Sequence, residues 1–168
     1  MEEYGTRLHI PFDSKHFALF LRNPSVCGRV SLYLHQFTNT PFLKKMETGL
    51  THTSELLVEE AHTARSLGSG DLPVLATPAL VALMENAAML AVAPALPAES
   101  TTVGGEICCR HNRPTAVGRR VRATARLEAE ENGRRLTFRI TAEDEQGPIG
   151  EATHVRFVVD RERFLKKL

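Results

Sequence analysis

Residues 76–98, ATPALVALMENAAMLAVAPALPA, form the most apolar part of this chain and contain one charged residue before the final alanine, Glu85. Thr77 followed by Pro78 is a typical helix start, with Thr77 as the N-cap, and Pro94 marks the end of the helix. Apolar residues occupy nearly every face, so other elements must cover this helix on most sides. The prolines interrupt the run before it reaches the roughly 20 residues of a membrane span. We therefore expect a buried helix.

Strand patterns flank the helix on both sides. One Thr-rich strand is predicted before it, at residues 50–58. After it, Asn132-Gly133 is a strong signal for a two-residue hairpin turn, and alternating apolar and polar residues predict four antiparallel strands, at 101–111, 119–131, 134–144 and 149–160. One strand, one buried helix and a four-strand meander predict an α+β protein of the hot-dog type, in which an antiparallel sheet wraps around one long central helix.

The first 45 residues lack this clear patterning. They mix apolar clusters with Pro, Asn and His, and they do not show the regions of a signal peptide. We expect residues 46–168 to form the domain and residues 1–45 to be a poorly ordered N-terminal extension, or sequence upstream of a natural start at Met46. The alternative is an arm that docks on a neighbour.

Charge and cysteine content narrow the class of protein. The 168 residues carry a net charge of +1, which does not indicate binding to nucleic acid or to a membrane surface. Cys27, Cys108 and Cys109 are too few and too unevenly spaced for a disulfide framework, which favours the cytoplasm. No His/Cys spacing suits zinc, and we predict neither a metal nor a cofactor.

Glu85 is the first candidate for chemistry. It shares a helical stripe with Val81, Ala88 and Val92, and an unpaired carboxylate out of water costs several kcal/mol. The alternative is a structural carboxylate at a solvent gap. A buried acid in a cleft more often marks a functional site.

Three further positions join this candidate. Strand phase puts the ring of His111 on the apolar face towards the helix, where Glu85 is its expected partner; alone, it would be an ordinary core histidine. The helix start at Thr77 offers unpaired N–H groups that can hold an oxyanion. Gly104-Gly105 would let a ligand approach the backbone, although a β-bulge is the simpler interpretation.

The segments ATPALVALMENAA, GGEICCRH, NGRRLTFRITA and IGEATHVRFVV resemble the hot-dog thioesterases related to fluoroacetyl-CoA thioesterase, over about residues 49–164. In that family a Thr begins the central helix, a Glu lies two turns later and a His lies on the next strand. Thr77, Glu85 and His111 match these positions, so the resemblance implies that they are catalytic. It also implies substrate-binding roles for Gly104, through its backbone N–H, and for Arg156.

The resemblance implies an acyl-CoA thioesterase that forms a homodimer or a higher homo-oligomer, with its active site near the dimer interface. The stretch SLGSGDLPVLAT before the helix has leucines where the fluoroacetyl-specific member has phenylalanines. A general short-chain acyl-CoA is therefore the predicted substrate. Two alternatives remain, a non-catalytic acyl-CoA-binding hot-dog module and a hot-dog enoyl-CoA hydratase, although the Asp/His motif of such hydratases is not found.

Overall fold

The computed structural model describes residues 45–168. The predicted extension lies outside the described residues apart from Lys45, so the boundary at residue 46 stays a prediction. In chain order the elements are β1 (Thr51–Leu57), α1 (Ala64–Leu67), α2 (Thr77–Val92), β2 (Ser100–His111), β3 (Arg120–Glu131), β4 (Arg135–Asp144), β5 (Gly147–Asp160) and α3 (Arg161–Leu165), with short 3₁₀ turns at Glu60–His62 and Ala93–Ala95.

The five strands form one antiparallel sheet in the order β1-β3-β4-β5-β2. The sheet curls around α2, which confirms the predicted hot-dog arrangement. The predicted four-strand meander is wrong in one respect, because β2 pairs with β5 at the far edge and does not adjoin β3. Pairing with β1 already occupies the outer edge of β3, through contacts such as Thr51 with Arg126.

The core lies between α2 and the inner face of the sheet. Eight of the nine predicted inward residues of β3 and β4 are buried, which confirms most of the predicted phase: Val121, Ala123, Ala125, Leu127, Leu136, Phe138, Ile140 and Ala142. The ninth, Ala129, is only half-buried, because the β3–β4 register shifts between Leu127 and Ala129. Seven residues of α2 are buried against them: Leu80, Leu83, Met84, Ala87, Ala88, Ala91 and Val92. The segment Thr77–Ala95 is long and apolar enough to cross a membrane, but this packing identifies it as the core helix of the domain.

The start of α2 differs from the sequence prediction by one residue. Ala76 is the N-cap, with ψ at 141°, and Thr77 is already helical and makes no side-chain cap bond. A Thr-Pro pair fits either register, and here a tertiary contact decides between them. The Thr77 hydroxyl bonds His111 instead of the helix backbone.

The β3–β4 connection is a hairpin turn at the predicted Asn132-Gly133 position. Asn132 has a φ of 54° and Gly133 a φ of 68°, and the Arg134 N–H donates to the Glu131 carbonyl at 3.0 Å. Since Glu131 pairs with Arg135, three residues separate the paired strand ends, where the sequence predicted two.

Candidate functional site

Glu85 lies on α2 and points at β5. Its Oε1 is 3.4 Å from Nε2 of His154 and 3.8 Å from Nη1 of Arg156. The side chain is 39% exposed, so the carboxylate has charged and polar neighbours and also reaches the surface. The predicted pairing of Glu85 with His111 is not what this chain forms, since the close contacts of the carboxylate are with His154 and Arg156.

Gly104 makes room for this carboxylate. A Cβ at this position would lie 2.5 Å from Oε1 of Glu85 and 3.3 Å from Cε1 of His154. The register between β2 and β5 shifts between Gly104 and Glu106, which is the β-bulge that the simpler interpretation predicted. We call Gly104, His154 and Arg156 around Glu85 the carboxylate cradle.

Arg156 is buried inside the cradle. Its side chain is 7% exposed, Nε donates to Oγ1 of Thr102 at 2.8 Å, and Nη2 donates to the Thr102 carbonyl at 2.9 Å. Burial lowers the pKa of Arg156, while the Glu85 charge acts in the opposite direction. The substrate contact that the resemblance implies for Arg156 therefore stays a prediction, and the contact that the geometry shows is with Glu85.

Thr77 and His111 form a second cluster, the Thr77–His111 pair. Oγ1 of Thr77 lies 3.0 Å from Nδ1 of His111, whereas Nε2 of His111 is buried without a hydrogen-bond partner among residues 45–168. Burial lowers the pKa of His111 below its ordinary value of 6.5, against a weaker opposing effect of a backbone hydrogen bond at Arg113. A neutral imidazole can accept the threonine proton at Nδ1, which leaves an Nε2–H donor in need of a partner.

The two clusters cannot meet within one chain. Thr77 and Glu85 are eight residues apart on one straight helix, which corresponds to about 12 Å along its axis. Thr77 lies at the first turn with His111, and Glu85 lies two turns later with the cradle. The three residues that the resemblance implies as catalytic thus occupy two separate places.

A cleft of about 310 Å³ opens at the Thr77–His111 pair. The segment before α2 forms one wall and is tied back by a bridge between Thr63 and Leu75. The residues that this segment contributes to the cleft lining are Ala64, Ser69, Val74 and Leu75. The wall therefore has no aromatic side chains, as the sequence indicated, whereas Leu67 and Leu72 of the same segment are exposed outside the lining.

A charge cluster fixes the chain that follows His111. The guanidinium of Arg113 donates to Oδ1 of Asp144, and Thr115 donates to Oδ2 at 3.1 Å. The Asp144 side chain is only 3% exposed, and Oδ1 also accepts from the Gln146 N–H at 2.8 Å. This cluster fastens the loop after β2 to the β4–β5 turn and so holds the far end of the cleft.

His154 is the site residue that sequence reasoning missed, since its spacing from other polar residues showed no triad. A signal was present, because His154 and Arg156 lie two residues apart in THVR and therefore share one face of β5. Among residues 45–168, no group of three or more His, Cys, Asp or Glu side chains is placed to bind a metal ion.

Comparison with known proteins identifies the thioesterase family that the sequence motifs resemble. The family described as fluoroacetyl-CoA-specific thioesterase matches residues 58–162. The fluoroacetyl-CoA thioesterase of Streptantibioticus cattleyicolor is 36% identical over 129 residues, which cover 73% of this chain and 92% of that protein.

Solved structures agree with the sequence match. A crystal structure of the fluoroacetyl-CoA-specific thioesterase superposes with a TM-score of 0.68 at 36% identity, covering 74% of this chain and 96% of that one. A point mutant of that enzyme in complex with fluoroacetate and CoA superposes with a TM-score of 0.64, covering 71% and 99%. A Thermus thermophilus thioesterase superfamily member gives 0.66 at 29% identity, covering 71% and 88%.

Proposed function

Because this chain belongs to the fluoroacetyl-CoA-specific thioesterase family, we propose that it hydrolyses short-chain acyl-CoA thioesters to the free acid and CoA. The observation that carries the proposal is the presence in this chain of two half-sites. One is a neutral imidazole and a hydroxyl at a helix N-terminus, and the other is a carboxylate held at the surface.

The first turn of α2 supplies the oxyanion site. The N–H groups at a helix start have no acceptor within the helix and point along its positive dipole. Pro78 contributes none, so the donors are the N–H groups of Thr77 and Ala79. A thioester carbonyl bound beside the Thr77–His111 pair would develop its negative charge against these donors.

Glu85 supplies the anionic group that attacks or activates water. As nucleophile it forms an anhydride with the acyl group and expels the CoA thiolate, and water then hydrolyses the anhydride. As general base it takes a proton from the water that attacks the thioester directly. After a single turnover in ¹⁸O-water, label in the protein carboxylate identifies the nucleophilic route with water attack at the Glu85 carbonyl carbon of the anhydride. Trapping of the acyl-enzyme anhydride with hydroxylamine detects the same route when water attacks the acyl carbon instead.

A homodimer is the assembly that completes the site. One stripe of α2 is only half-buried or exposed along its length, at Pro78, Ala82, Glu85 and Met89. The neighbouring strand β2 is an edge strand in the five-strand order of the sheet. A second copy placed antiparallel on this face would bring its carboxylate cradle to the Thr77–His111 pair and give Nε2 of His111 an acceptor.

The apolar wall of the cleft supports a general short acyl group. The apolar residues of this wall, Ala64, Val74 and Leu75, supply apolar contact without the directed edge of an aromatic ring. We expect acetyl-CoA and fluoroacetyl-CoA to have kcat/KM values within about tenfold of each other, the range that small apolar differences supply. The low, odd cysteine count supports the cytoplasm as the proposed compartment.

A thiol-release assay tests the activity. Wild-type protein and Glu85→Gln are incubated with acetyl-, butyryl-, hexanoyl- and crotonyl-CoA, and the CoA thiol is measured alongside the absorbance of the enoyl group. We expect thiol release from the short saturated substrates that depends on Glu85. Loss of enoyl absorbance without thiol would identify a hydratase, and binding without either change would identify an acyl-CoA-binding module.

A further inference from the structure

The ring of His154 lies in the centre of β5 with no role in the mechanism above. It faces Ile107 on β2 and Phe138 on β4, and the side chain is only 1% exposed. A fully buried imidazole is polar at both nitrogens, and each nitrogen needs a partner to offset the loss of water. The hydrogen-bond partners of His154 therefore indicate its protonation state and its role.

The hydrogen bonds of His154 fix one tautomer. Nδ1 lies 2.7 Å from the Glu106 carbonyl, which can only accept, so Nδ1 carries the proton. Nε2 lies 3.0 Å from Nη1 of Arg156, which can only donate, so Nε2 presents its lone pair. Burial lowers the pKa of His154; the Glu106 carbonyl and the Glu85 charge oppose this effect, and the Arg156 charge reinforces it. The ring is therefore neutral, and Nε2 has no proton to donate to Glu85.

His154 therefore acts on Arg156, which in turn faces Glu85. Thr102 accepts two bonds from the guanidinium, and Nε2 of His154 accepts a third. These bonds direct Nη1 towards Glu85, where it lies 3.8 Å from Oε1 and 3.5 Å from the main-chain carbonyl. The neutral ring of His154 thus positions the positively charged guanidinium of Arg156 next to the Glu85 carboxylate.

The shape of the cradle complements this charge. Gly104 lies directly opposite Arg156 in the β2–β5 pairing, and the space where a Cβ would sit is filled by Oε1 of Glu85. Oε1 is the carboxylate oxygen that approaches both Nε2 of His154 and Nη1 of Arg156. The other oxygen, Oε2, is the one left for substrate.

We propose that His154 is a positioning residue, which holds the Arg156 guanidinium against Oε1 of Glu85 so that Oε2 is presented to the thioester or to water. The inference rests on the proposed thioesterase function and deepens it, because it assigns how the reacting carboxylate is aimed. A group held in this way affects the chemical step more than substrate binding.

Three variants separate this role from simple packing. In His154→Gln the amide oxygen reaches the place of Nε2 and can accept from Arg156. In His154→Asn the shorter amide can donate to the Glu106 carbonyl, as Nδ1 does, but cannot reach Arg156. His154→Leu fills the space and makes neither bond.

Each variant is assayed for kcat and KM with acetyl-CoA and for its melting temperature. We expect His154→Gln to keep kcat within about threefold of wild type, and the Asn and Leu variants to lose at least about tenfold in kcat with KM within about twofold. Wild-type kcat in His154→Asn would overturn the inference and reduce His154 to an anchor of the β-bulge. If His154→Leu does not fold, the comparison of Gln with Asn decides alone.

A crystallographic measurement keeps this inference separate from the proposed function. Wild-type protein that releases no thiol from any acyl-CoA contradicts the function, whereas active wild type with unimpaired His154→Asn contradicts only the positioning role. In crystal structures we expect the Glu85 carboxylate to leave Gly104 in His154→Asn and to remain there in His154→Gln. An unmoved carboxylate in both variants would overturn the inference whatever the activity.

Discussion

Thr77 has its hydroxyl on His111 and not on the backbone of α2. Thr77→Ala should therefore lower kcat at least about tenfold while the free energy of unfolding changes by no more than about 0.5 kcal/mol. Thr77→Ser keeps the hydroxyl and serves as the matched control, with near-normal kcat. A loss of about 1 kcal/mol with unchanged kcat would show instead that Thr77 caps the helix. Steady-state kinetics and urea unfolding provide both numbers.

Glu85→Gln should reduce kcat at least about a hundredfold, since glutamine is neither a base nor a nucleophile. From the sequence alone, an isolated acid in an apolar helix should cost stability, so its removal would leave the melting temperature level or raise it. The structure reverses this expectation, because Arg156 is 7% exposed and would lose its carboxylate partner. We expect calorimetry to give a lower melting temperature for Glu85→Gln than for wild type. A higher melting temperature would contradict the claim that the Glu85 carboxylate stabilises the buried Arg156.

The sequence identified Glu85 as a candidate site residue but not the residues that contact it. The lone charge in an apolar helix was enough to single out Glu85. Its partners were not visible, because they depend on which strands become neighbours: Arg156 meets Glu85 only once β5 pairs with β2 and a glycine at residue 104 leaves space between them.

At the scale of elements, the cluster around Asp144 holds the loop after β2 in place. Burial acts to raise the pKa of Asp144, but hydrogen bonds from Arg113, Gln146 and Thr115 and the Arg113 charge outweigh it, so the pKa is lowered from its ordinary value of 3.8. A lowered folded-state pKa contributes stability above the unfolded-state pKa, and this contribution is lost as the pH falls through the folded-state pKa. Asp144→Asn should therefore cost about 2 kcal/mol at pH 7.

The pH dependence distinguishes this charge effect from lost packing. The difference in unfolding free energy between wild type and Asp144→Asn should be constant near neutrality and shrink below about pH 4, where the Asp144 carboxyl of the unfolded wild type begins to protonate while the folded-state carboxyl stays ionised. Asp71→Asn, at an exposed loop position, is the control and should change little at any pH. A difference that does not depend on pH would contradict the assignment.

The periodicity of apolar residues in the sequence was sufficient to predict the helix, the strands and the faces that they bury. Alternation places Val121 and Phe138 inwards whatever the strand order, because the side-chain period of a strand is two. It does not specify neighbours, and the long connection through α2 lets β2 lie beside β5 at the far edge. For the same reason sequence reasoning could place His111 on an inward face but could not identify its partner.

At the scale of the whole molecule, the described chain holds two incomplete half-sites. The Thr77–His111 pair has an imidazole nitrogen without a partner among residues 45–168, and the carboxylate cradle has a half-exposed carboxylate. Both lie along the open stripe of α2 beside the edge strand β2. We propose that two copies of the chain combine these half-sites into one active site.

Mixing two inactive variants tests this claim most directly. Glu85→Gln and His111→Ala are unfolded together, refolded as a 1:1 mixture and assayed for thiol release from acetyl-CoA, with heterodimers verified by native mass spectrometry. Half of randomly formed dimers are mixed and each mixed dimer has one intact site of two, so we expect about a quarter of wild-type activity. A mixture of Thr77→Ala with His111→Ala, both altered in the same half-site, should recover none. Verified heterodimers of Glu85→Gln with His111→Ala that remain as inactive as the separate variants would contradict the account.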